Sequence, residues 1–292
     1  MHRFFAALIL WSIIGCDLPQ EERIQNKIEF EIDSLLNVND FKGVVLVMQN
    51  DDTLFCKSRG FKDLDQGIEL SENDQFVVGS ISKQVTAVLV LQAFERGELL
   101  LTDTLNAYFD TIQQVWIDEV TIHHLLTHTH GITALDAPTE FEPGSQFHYS
   151  QLGFELLAQI LEKTSGQTFE ALSAELFERC GMDNSCHPNS NKQIRLVNGY
   201  EENEAGEMLF TDASFENYVA AGGFVSTAKD LARWNSLLHS GRLLKDDTFA
   251  KMKTPYATRE HPVFDDVKYG YGLLFKEGEV DFEIGALGYA PG

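Results

Sequence analysis

Basic residues are scarce in this chain. Its 292 residues include 22 lysines and arginines against 45 aspartates and glutamates, which gives a formal net charge of −23 at pH 7. No cluster of lysines and arginines forms a basic patch, and a surface this acidic repels the phosphates of nucleic acid. We therefore expect no nucleic-acid partner, and the charge is typical of a soluble protein in a high-salt or cell-envelope setting.

Long apolar runs are also lacking, apart from residues 4–14, which are too few to span a bilayer as a helix. A positive start, Met1-His2-Arg3, precedes this run, and Gly15-Cys16 ends it. The pattern resembles a bacterial lipoprotein signal, which is cleaved before a cysteine that is then lipidated. We predict a signal peptide over residues 1–16, lipidation of Cys16, a polar tether over residues 17–22, and a membrane anchor in the bacterial cell envelope. An ordinary secretory signal is the alternative.

Cysteines are few, and no Cys-x-x-Cys pair is present, so a zinc ribbon is not expected. With Cys16 assigned to lipidation, Cys56, Cys180 and Cys186 remain. An odd number leaves at least one thiol outside any intramolecular disulfide. Cys180 and Cys186 could close a small loop, and three buried thiols are an equally open alternative.

Several catalytic and binding motifs are missing as well. No Gly-x-Ser-x-Gly elbow occurs, which argues against an α/β-hydrolase. The histidines at 123, 124, 128 and 130 contain no His-Glu-x-x-His pattern, so we expect a structural segment, no metal and no cofactor. No Lys-Ser/Thr follows Gly222-Gly223, which favours close backbone packing there over phosphate binding.

The apolar pattern predicts strands at both ends of the chain and helices between them. Helical spacing covers residues 23–37, 85–94, 154–164, 169–179 and 228–240, and extended runs cover 43–48, 53–60, 269–276 and 281–288. The predicted fold class is α/β of the α+β type. An antiparallel sheet built from both chain termini would be flanked by helices and would carry an all-helical insertion.

The first chemical signal is Gly79-Ser80-Ile81-Ser82-Lys83, which lies between an extended run and a long apolar helix. Residues three apart share one helix face, so the Lys83 amine can reach the Ser80 hydroxyl. Free N–H groups at the helix start suit a developing oxyanion. Ser-x-x-Lys is typical of acyl-transferring serine enzymes, but an N-cap serine beside a surface lysine would give the same letters.

Three further segments follow in order: residues 125–131, Tyr149-Ser150-Gln151, and residues 221–231. Together with the serine motif they resemble the beta-lactamase-related serine hydrolases. That family groups class C beta-lactamases, D-alanyl-D-alanine carboxypeptidases, D-aminopeptidases and esterases. The resemblance covers roughly residues 25–292, and we expect one hydrolase domain over residues 23–292.

The resemblance implies catalytic roles for Ser80, Lys83 and Tyr149. Ser80 would attack a carbonyl carbon to form an acyl-enzyme, and Lys83 would help to remove the hydroxyl proton. Tyr149 would act as general base and then as general acid, with a pKa lowered by the lysine charge. Gln151 stands where the family usually has asparagine and would contact the substrate. The backbone N–H of Ser80 would form half of the oxyanion hole.

The chain departs from the family pattern near residue 292. Ala286 stands where the family has a lysine or histidine, while Gly288 matches, and the Tyr289 N–H would be the second oxyanion donor. Family members continue with a further strand and a C-terminal helix, so we expect the sequence to be truncated. Gly288 and Tyr289 join Gln151 as predicted substrate-binding residues.

The sequence therefore predicts a serine hydrolase acting through an acyl-enzyme on an amide or ester, and the expected substrate is a D-amino-acid peptide or a beta-lactam-like molecule. The expected partner is this small-molecule or peptide substrate, and the expected state is a monomer. Ala286 favours an alternative, an esterase on neutral small esters. A non-catalytic envelope binding protein on a decayed hydrolase scaffold is a third possibility.

Overall fold

The computed structural model of this chain describes residues 20–190, 195–211, 216–261, 265–277 and 282–285. Helix α1 spans Gln20–Val38, so residues 20–22 of the predicted tether are helical. The predicted lipidation site Cys16, and Ala286, Gly288 and Tyr289 near the other end, lie outside the described residues. None of the helices in the described ranges has the length and apolar character needed to cross a membrane.

An N-terminal hairpin follows α1, as predicted. Strands β1 (Gly43–Gln49) and β2 (Asp52–Arg59) pair antiparallel from Gly43↔Arg59 to Gln49↔Asp52. In the segment that follows, β3 (Phe61–Asp63) and β4 (Ile68–Glu69) form a small antiparallel ladder. Asp33 of α1 lies 2.5 Å from the Lys57 amine and 3.0 Å from the Arg59 guanidinium, which ties α1 to β2.

The helical middle of the chain surrounds one buried helix, α2 (Ser82–Arg96), which follows strand β5 (Phe76–Val77) and a 3₁₀ turn, Gly79–Ile81. Every residue of α2 from Ser82 to Ala93 is buried, as expected for a helix that is apolar on most of its surface. Helices α3 (Ile122–Leu126), α4 (Gln151–Ser165) and α5 (Phe169–Cys180) complete this layer. Left-handed glycines end α2, α4 and α5 at Gly97, Gly166 and Gly181.

The remaining helices and short strands close the fold around α2. A hairpin of β6 (Gly199–Glu202) and β7 (Met208–Thr211) precedes a buried π-helical turn, Val219–Gly223. Strand β8 (Val225–Ser226) pairs with β5, and α6 (Ala228–His239) and α7 (Asp246–Met252) follow. The two glycines of the π turn are buried against α2, so the predicted packing role of Gly222-Gly223 is confirmed.

The C-terminal part forms a four-stranded antiparallel sheet of β9 (Ala257–His261), β10 (Asp265–Tyr269), β11 (Leu274–Glu277) and β12 (Phe282–Gly285), in chain order. The prediction of one strand over residues 269–276 was wrong. The chain turns between Tyr269 and Leu274, where Gly272 has φ 71°. Gly270, in the same turn, lies so close to Met252 that a Cβ there would be 2.5 Å from the Met252 carbonyl oxygen. The β9–β10 hairpin was missed.

The predicted fold class is confirmed: helices lie between antiparallel strands drawn from both ends of the chain. Among the described residues, the N-terminal hairpin and the C-terminal sheet form separate ladders. Cys56, Cys180 and Cys186 are thiols with no disulfide between them, so the structure favours thiols over a Cys180–Cys186 loop.

Gly272 joins the C-terminal sheet to α2, and its replacement provides a test of this contact. A Cβ at Gly272 would lie 3.0 Å from the Lys83 carbonyl oxygen, whereas one at Gly166, with the same φ of 71°, would meet nothing within 4 Å. Gly166→Ala should lower the free energy of unfolding by about 1–2 kcal/mol, because alanine disfavours the left-handed backbone conformation. Gly272→Ala should lower it by more, because its Cβ also meets α2; urea unfolding measures both losses. Equal losses of stability would contradict the contact.

Candidate active site

Ser80 lies on the 3₁₀ turn between β5 and α2. Gly79 makes the turn possible, because it is buried and has φ 54°, a region that favours glycine. The Val78 N–H bonds the Phe224 carbonyl at 2.9 Å, and this fixes the entry to the turn. Ser80 and Ile81 keep part of their surface exposed, while Gly79 and Ser82 on either side of them are buried. Its N–H bonds no described residue, as an oxyanion donor requires.

Lys83 is buried beneath Ser80, with 1% of its surface exposed. Its amine lies 3.3 Å from Ser80 Oγ, 2.6 Å from Gln151 Oε1 and 2.6 Å from the Ala221 carbonyl oxygen. A lysine amine has three hydrogen-bonding directions, so these three acceptors occupy all of them. The 3₁₀ turn, helix α4 and the π turn each supply one partner.

The pKa of Lys83 is lowered to about 7, chiefly by burial; the Glu155 charge raises it, and the smaller effect of the Arg259 charge lowers it. A neutral amine keeps two N–H groups and gains a lone pair. Gln151 Oε1 and the Ala221 carbonyl can only accept hydrogen bonds, so they retain the two N–H groups. The lone pair then points at the Ser80 hydroxyl, which is the geometry of a general base whose pKa matches neutral pH.

Tyr149 lies on the other side of the serine. Its side chain bonds that of Ser80, and its ring centre is 4.6 Å from the Lys83 amine. Burial raises the pKa of Tyr149, with Ser80 and Arg259 as smaller lowering effects. The predicted lowering by lysine is therefore wrong, because the buried lysine itself tends towards neutrality. A tyrosine that stays protonated suits a general acid.

His128 fixes the position of Tyr149 from below. It is fully buried and has φ 58°. Its carbonyl accepts the His148 N–H at 2.9 Å, and its Nδ1 accepts the Ser150 N–H at 3.2 Å. His128 thus bonds both residues that flank Tyr149, and the centre of its ring lies 4.4 Å from that of the Tyr149 ring.

The other histidines of this segment also have structural partners. The His123 ring bonds the Tyr271 hydroxyl at 2.8 Å, and the His124 ring accepts the Thr121 N–H in a capping box. The Nδ1 of His130 accepts the Ile132 N–H. These contacts confirm the segment as a brace beside the site. Within the described ranges, no three metal-ligating side chains are grouped for an ion.

The sequence did not reveal Glu155, which lies on α4 one turn beyond Gln151. Its carboxylate accepts the Ala221 N–H at 3.2 Å, while the Ala221 carbonyl accepts from Lys83. Burial raises the pKa of Glu155 to about 7, against the lowering effects of the Ala221 and Ala220 N–H groups and of Lys83. Glu155 therefore fixes the π turn through the Ala221 N–H, and the π turn in turn binds Lys83 through the Ala221 carbonyl.

Arg259 of β9 was missed as well. Its guanidinium carbon lies 4.5 Å from the Tyr149 ring centre, so a second basic side chain faces the same tyrosine.

A family model for the Beta-lactamase family matches residues 34–289. The chain belongs to the Beta-lactamase family.

Solved and curated relatives agree with this membership. A penicillin-binding protein from Bacillus halodurans has 28% identity and a TM-score of 0.77 over 89% of this chain and 88% of that one. The beta-lactamase of Escherichia coli K12 is 25% identical over 78% of this chain. The teichoic acid D-alanine hydrolase of Staphylococcus aureus MRSA252 is 20% identical over 82%. The alignments span 64% of each of these two curated relatives.

For this Beta-lactamase-family chain, the structure brings four of the predicted site residues together: Ser80, Lys83, Tyr149 and Gln151. Gly288 and Tyr289 lie outside the described residues, so their substrate-binding role stays a prediction. Glu155 follows Gln151 by four positions, and this helical spacing could have revealed it. Arg259 had no comparable signal, because nothing in the sequence indicated its hairpin.

Glu155→Gln provides a test of the coupling between this carboxylate and Lys83. The charge of Glu155 raises the pKa of Lys83, so its removal should keep the amine neutral to lower pH. The pH at which Ser80 becomes reactive towards a fluorophosphonate should therefore fall. Glu178→Gln on α5 removes an exposed charge elsewhere and should leave the profile unchanged. An unmoved profile in Glu155→Gln would contradict the coupling.

Proposed function

We propose that this chain is a serine hydrolase that works through an acyl-enzyme, with Ser80 as nucleophile, Lys83 as general base and Tyr149 as general acid. The observation that carries this proposal is the Lys83 amine, buried and 3.3 Å from Ser80 Oγ. Two of its three hydrogen-bonding directions end on groups that only accept. The third is left for the serine proton.

In acylation, neutral Lys83 takes the hydroxyl proton as Ser80 Oγ bonds the carbonyl carbon of the substrate. The carbonyl oxygen becomes an oxyanion and accepts the Ser80 N–H. The bond to the leaving group then breaks, and Tyr149 gives its proton to the departing nitrogen or oxygen. A proton passed from Lys83 to Tyr149 restores both groups, so the acyl-enzyme forms with no net change in charge.

Deacylation uses water as the nucleophile and Lys83 again as the base. Lys83 removes a proton from water as the water oxygen bonds the acyl carbon. The bond between that carbon and Ser80 Oγ breaks, and the serine oxygen recovers a proton from Lys83. The product acid leaves, and the site returns to its starting state.

The substrate of this proposal is an amide or ester, and a D-amino-acid peptide or a beta-lactam-like ring is its finer form. The names of two relatives support that form, because one is a beta-lactamase and the other a teichoic acid D-alanine hydrolase. Acyl transfer through a serine accommodates a lactam amide and a D-alanyl ester equally. A decayed, non-catalytic scaffold is less well supported. Burial of a lysine amine is costly, and the buried amine of Lys83 contacts the proposed nucleophile Ser80.

Covalent labelling provides a test of the nucleophile. A fluorophosphonate or a fluorescent penicillin should modify Ser80 and no other serine, with the mass of the adduct located by peptide mass spectrometry. Ser80→Ala should abolish the label, and Lys83→Met should slow it by roughly 10²–10⁴-fold, the usual contribution of a general base.

The exposed loop residue Ser145 provides the matched control, because its hydroxyl bonds the Glu142 carbonyl and not a group of the proposed site. Ser145→Ala should label as the wild type does. Circular dichroism should show that all variants fold. A folded wild type that carries no label, or a Ser80→Ala variant that keeps it, would contradict the nucleophile.

Tyr149→Phe tests the general acid separately. An anilide leaving group must be protonated as it departs, whereas p-nitrophenolate is stable as an anion. The kcat/KM of Tyr149→Phe for a D-alanyl anilide should fall by roughly 10²–10⁴-fold, with a much smaller loss for the p-nitrophenyl ester of the same acyl group. Similar losses for both substrates would show that Tyr149 does not protonate the leaving group.

A further inference from the structure

Tyr269, the last residue of β10, places a hydroxyl in the protein interior behind Tyr149. The residue is buried, with 3% of its surface exposed, and its hydroxyl oxygen lies 3.1 Å from Nε2 of His128. This hydrogen bond joins the C-terminal sheet to the segment that braces the site. None of the proton transfers in the proposed function involves the Tyr269 hydroxyl, so its contact with His128 needs a separate explanation.

The hydrogen bonds of His128 fix the position of its ring proton. The Ser150 N–H can only donate, so Nδ1, which lies 3.2 Å from the Ser150 nitrogen, must accept with its lone pair. Burial is the main effect that lowers the pKa of His128 well below its usual value, so the imidazole is neutral. A neutral imidazole has one N–H group. That group is therefore at Nε2, and it donates to the Tyr269 oxygen.

This tautomer depends on an acceptor beside Nε2, because the hydrogen bond of one ring nitrogen sets the protonation of the other. Loss of the Tyr269 oxygen would leave a buried N–H group without its acceptor, which is costly. Transfer of the proton to Nδ1 would relieve this cost, but Nδ1–H would then face the Ser150 N–H, and two donors would meet. Since Ser150 directly follows Tyr149, the bond lost in this way is one that holds Tyr149.

Packing alone accounts for the Tyr269 ring but not for its hydroxyl. The ring centre of Tyr269 lies 5.0 Å from that of His128 and 5.5 Å from that of Phe147, and a phenylalanine would fill the same space. Burial of a hydroxyl is costly unless it forms a hydrogen bond. Burial also raises the pKa of Tyr269, so the hydroxyl stays neutral and offers the acceptor that the His128 proton requires.

We propose that Tyr269 is a positioning residue for Tyr149 and acts through the tautomer of His128. This inference rests on the proposed function, in which Tyr149 protonates the leaving group. It gives the C-terminal sheet a role in that proton transfer: the Tyr269 oxygen fixes the proton at Nε2, Nδ1 accepts the Ser150 N–H, and the chain at Ser150 holds Tyr149. Catalytic groups tolerate little displacement, since a shift of about 1 Å can reduce the rate by about 100-fold.

Tyr269→Phe tests this role, because it removes the hydroxyl and keeps the ring. The kcat/KM for a D-alanyl anilide should fall by roughly 5- to 50-fold, as expected when a buried donor loses its partner, mainly through kcat. The loss should be smaller than that of Tyr149→Phe, because the His148 N–H still bonds the His128 carbonyl. The p-nitrophenyl ester of the same acyl group should lose much less, since p-nitrophenolate leaves as an anion.

Tyr271→Phe is the matched control. Its hydroxyl also bonds a histidine, at 2.8 Å from Nδ1 of His123, and it follows Tyr269 by two positions. It should leave the ratio of the anilide and ester rates at the wild-type value. In Tyr269→Phe, equal losses for both substrates, or no loss for either, would overturn this inference while wild-type turnover upheld the proposed function. A wild type that hydrolyses neither substrate would overturn both.

The tautomer itself can be measured without substrate. In protein labelled with ¹⁵N-histidine, the His128 signals, identified by their loss in His128→Asn, should show an unprotonated Nδ1 and a protonated Nε2. In Tyr269→Phe the Nδ1 signal should move towards that of a protonated nitrogen. A wild-type proton on Nδ1, or His128 signals that do not change in Tyr269→Phe, would contradict the role assigned to Tyr269.

Discussion

The burial of the Lys83 amine is the constraint on which the rest of the site depends. An amine without water must find acceptors in the protein, and it finds them on three elements at 2.6–3.3 Å. The same burial lowers its pKa to about 7. Removal from water therefore accounts both for the position of the amine and for its capacity to take a proton from Ser80 at neutral pH.

Each element that contacts Lys83 is held by a second contact. Ser82 accepts the Phe224 N–H at 3.2 Å, and Thr86 donates to the Ala220 carbonyl at 2.7 Å, so α2 is fixed to the π turn. Glu155 secures the same turn from α4. His128 supports the loop that carries Tyr149. The geometry of the site thus results from the packing of buried helices, and hydrogen bonds between their polar groups keep these elements in place.

The sequence predicted what depends on local spacing and failed where distant segments meet. The pairing of Ser80 with Lys83 and the N-terminal hairpin follow from short-range rules. The pKa of Tyr149 could not be predicted, because it depends on how deeply a loop residue is buried. Gly270 and Gly272 lie in a turn that the apolar pattern did not indicate. The predicted single strand over residues 269–276 ran through this turn, so β10 and its pairing with β9, which carries Arg259, were missed. Helical spacing places Glu155 on the same face of α4 as Gln151, but its contact with the π turn depends on how the two elements pack.

The central claim is that Lys83 is a neutral base near physiological pH, and its titration tests this most directly. Lysine labelled with ¹³C at Cε gives a resonance that reports the charge of each amine, and Lys83→Met identifies the one that belongs to Lys83. The account predicts a midpoint near pH 7 for this resonance, well below those of the exposed lysines. A midpoint near the ordinary lysine value of about 10.4 would contradict it.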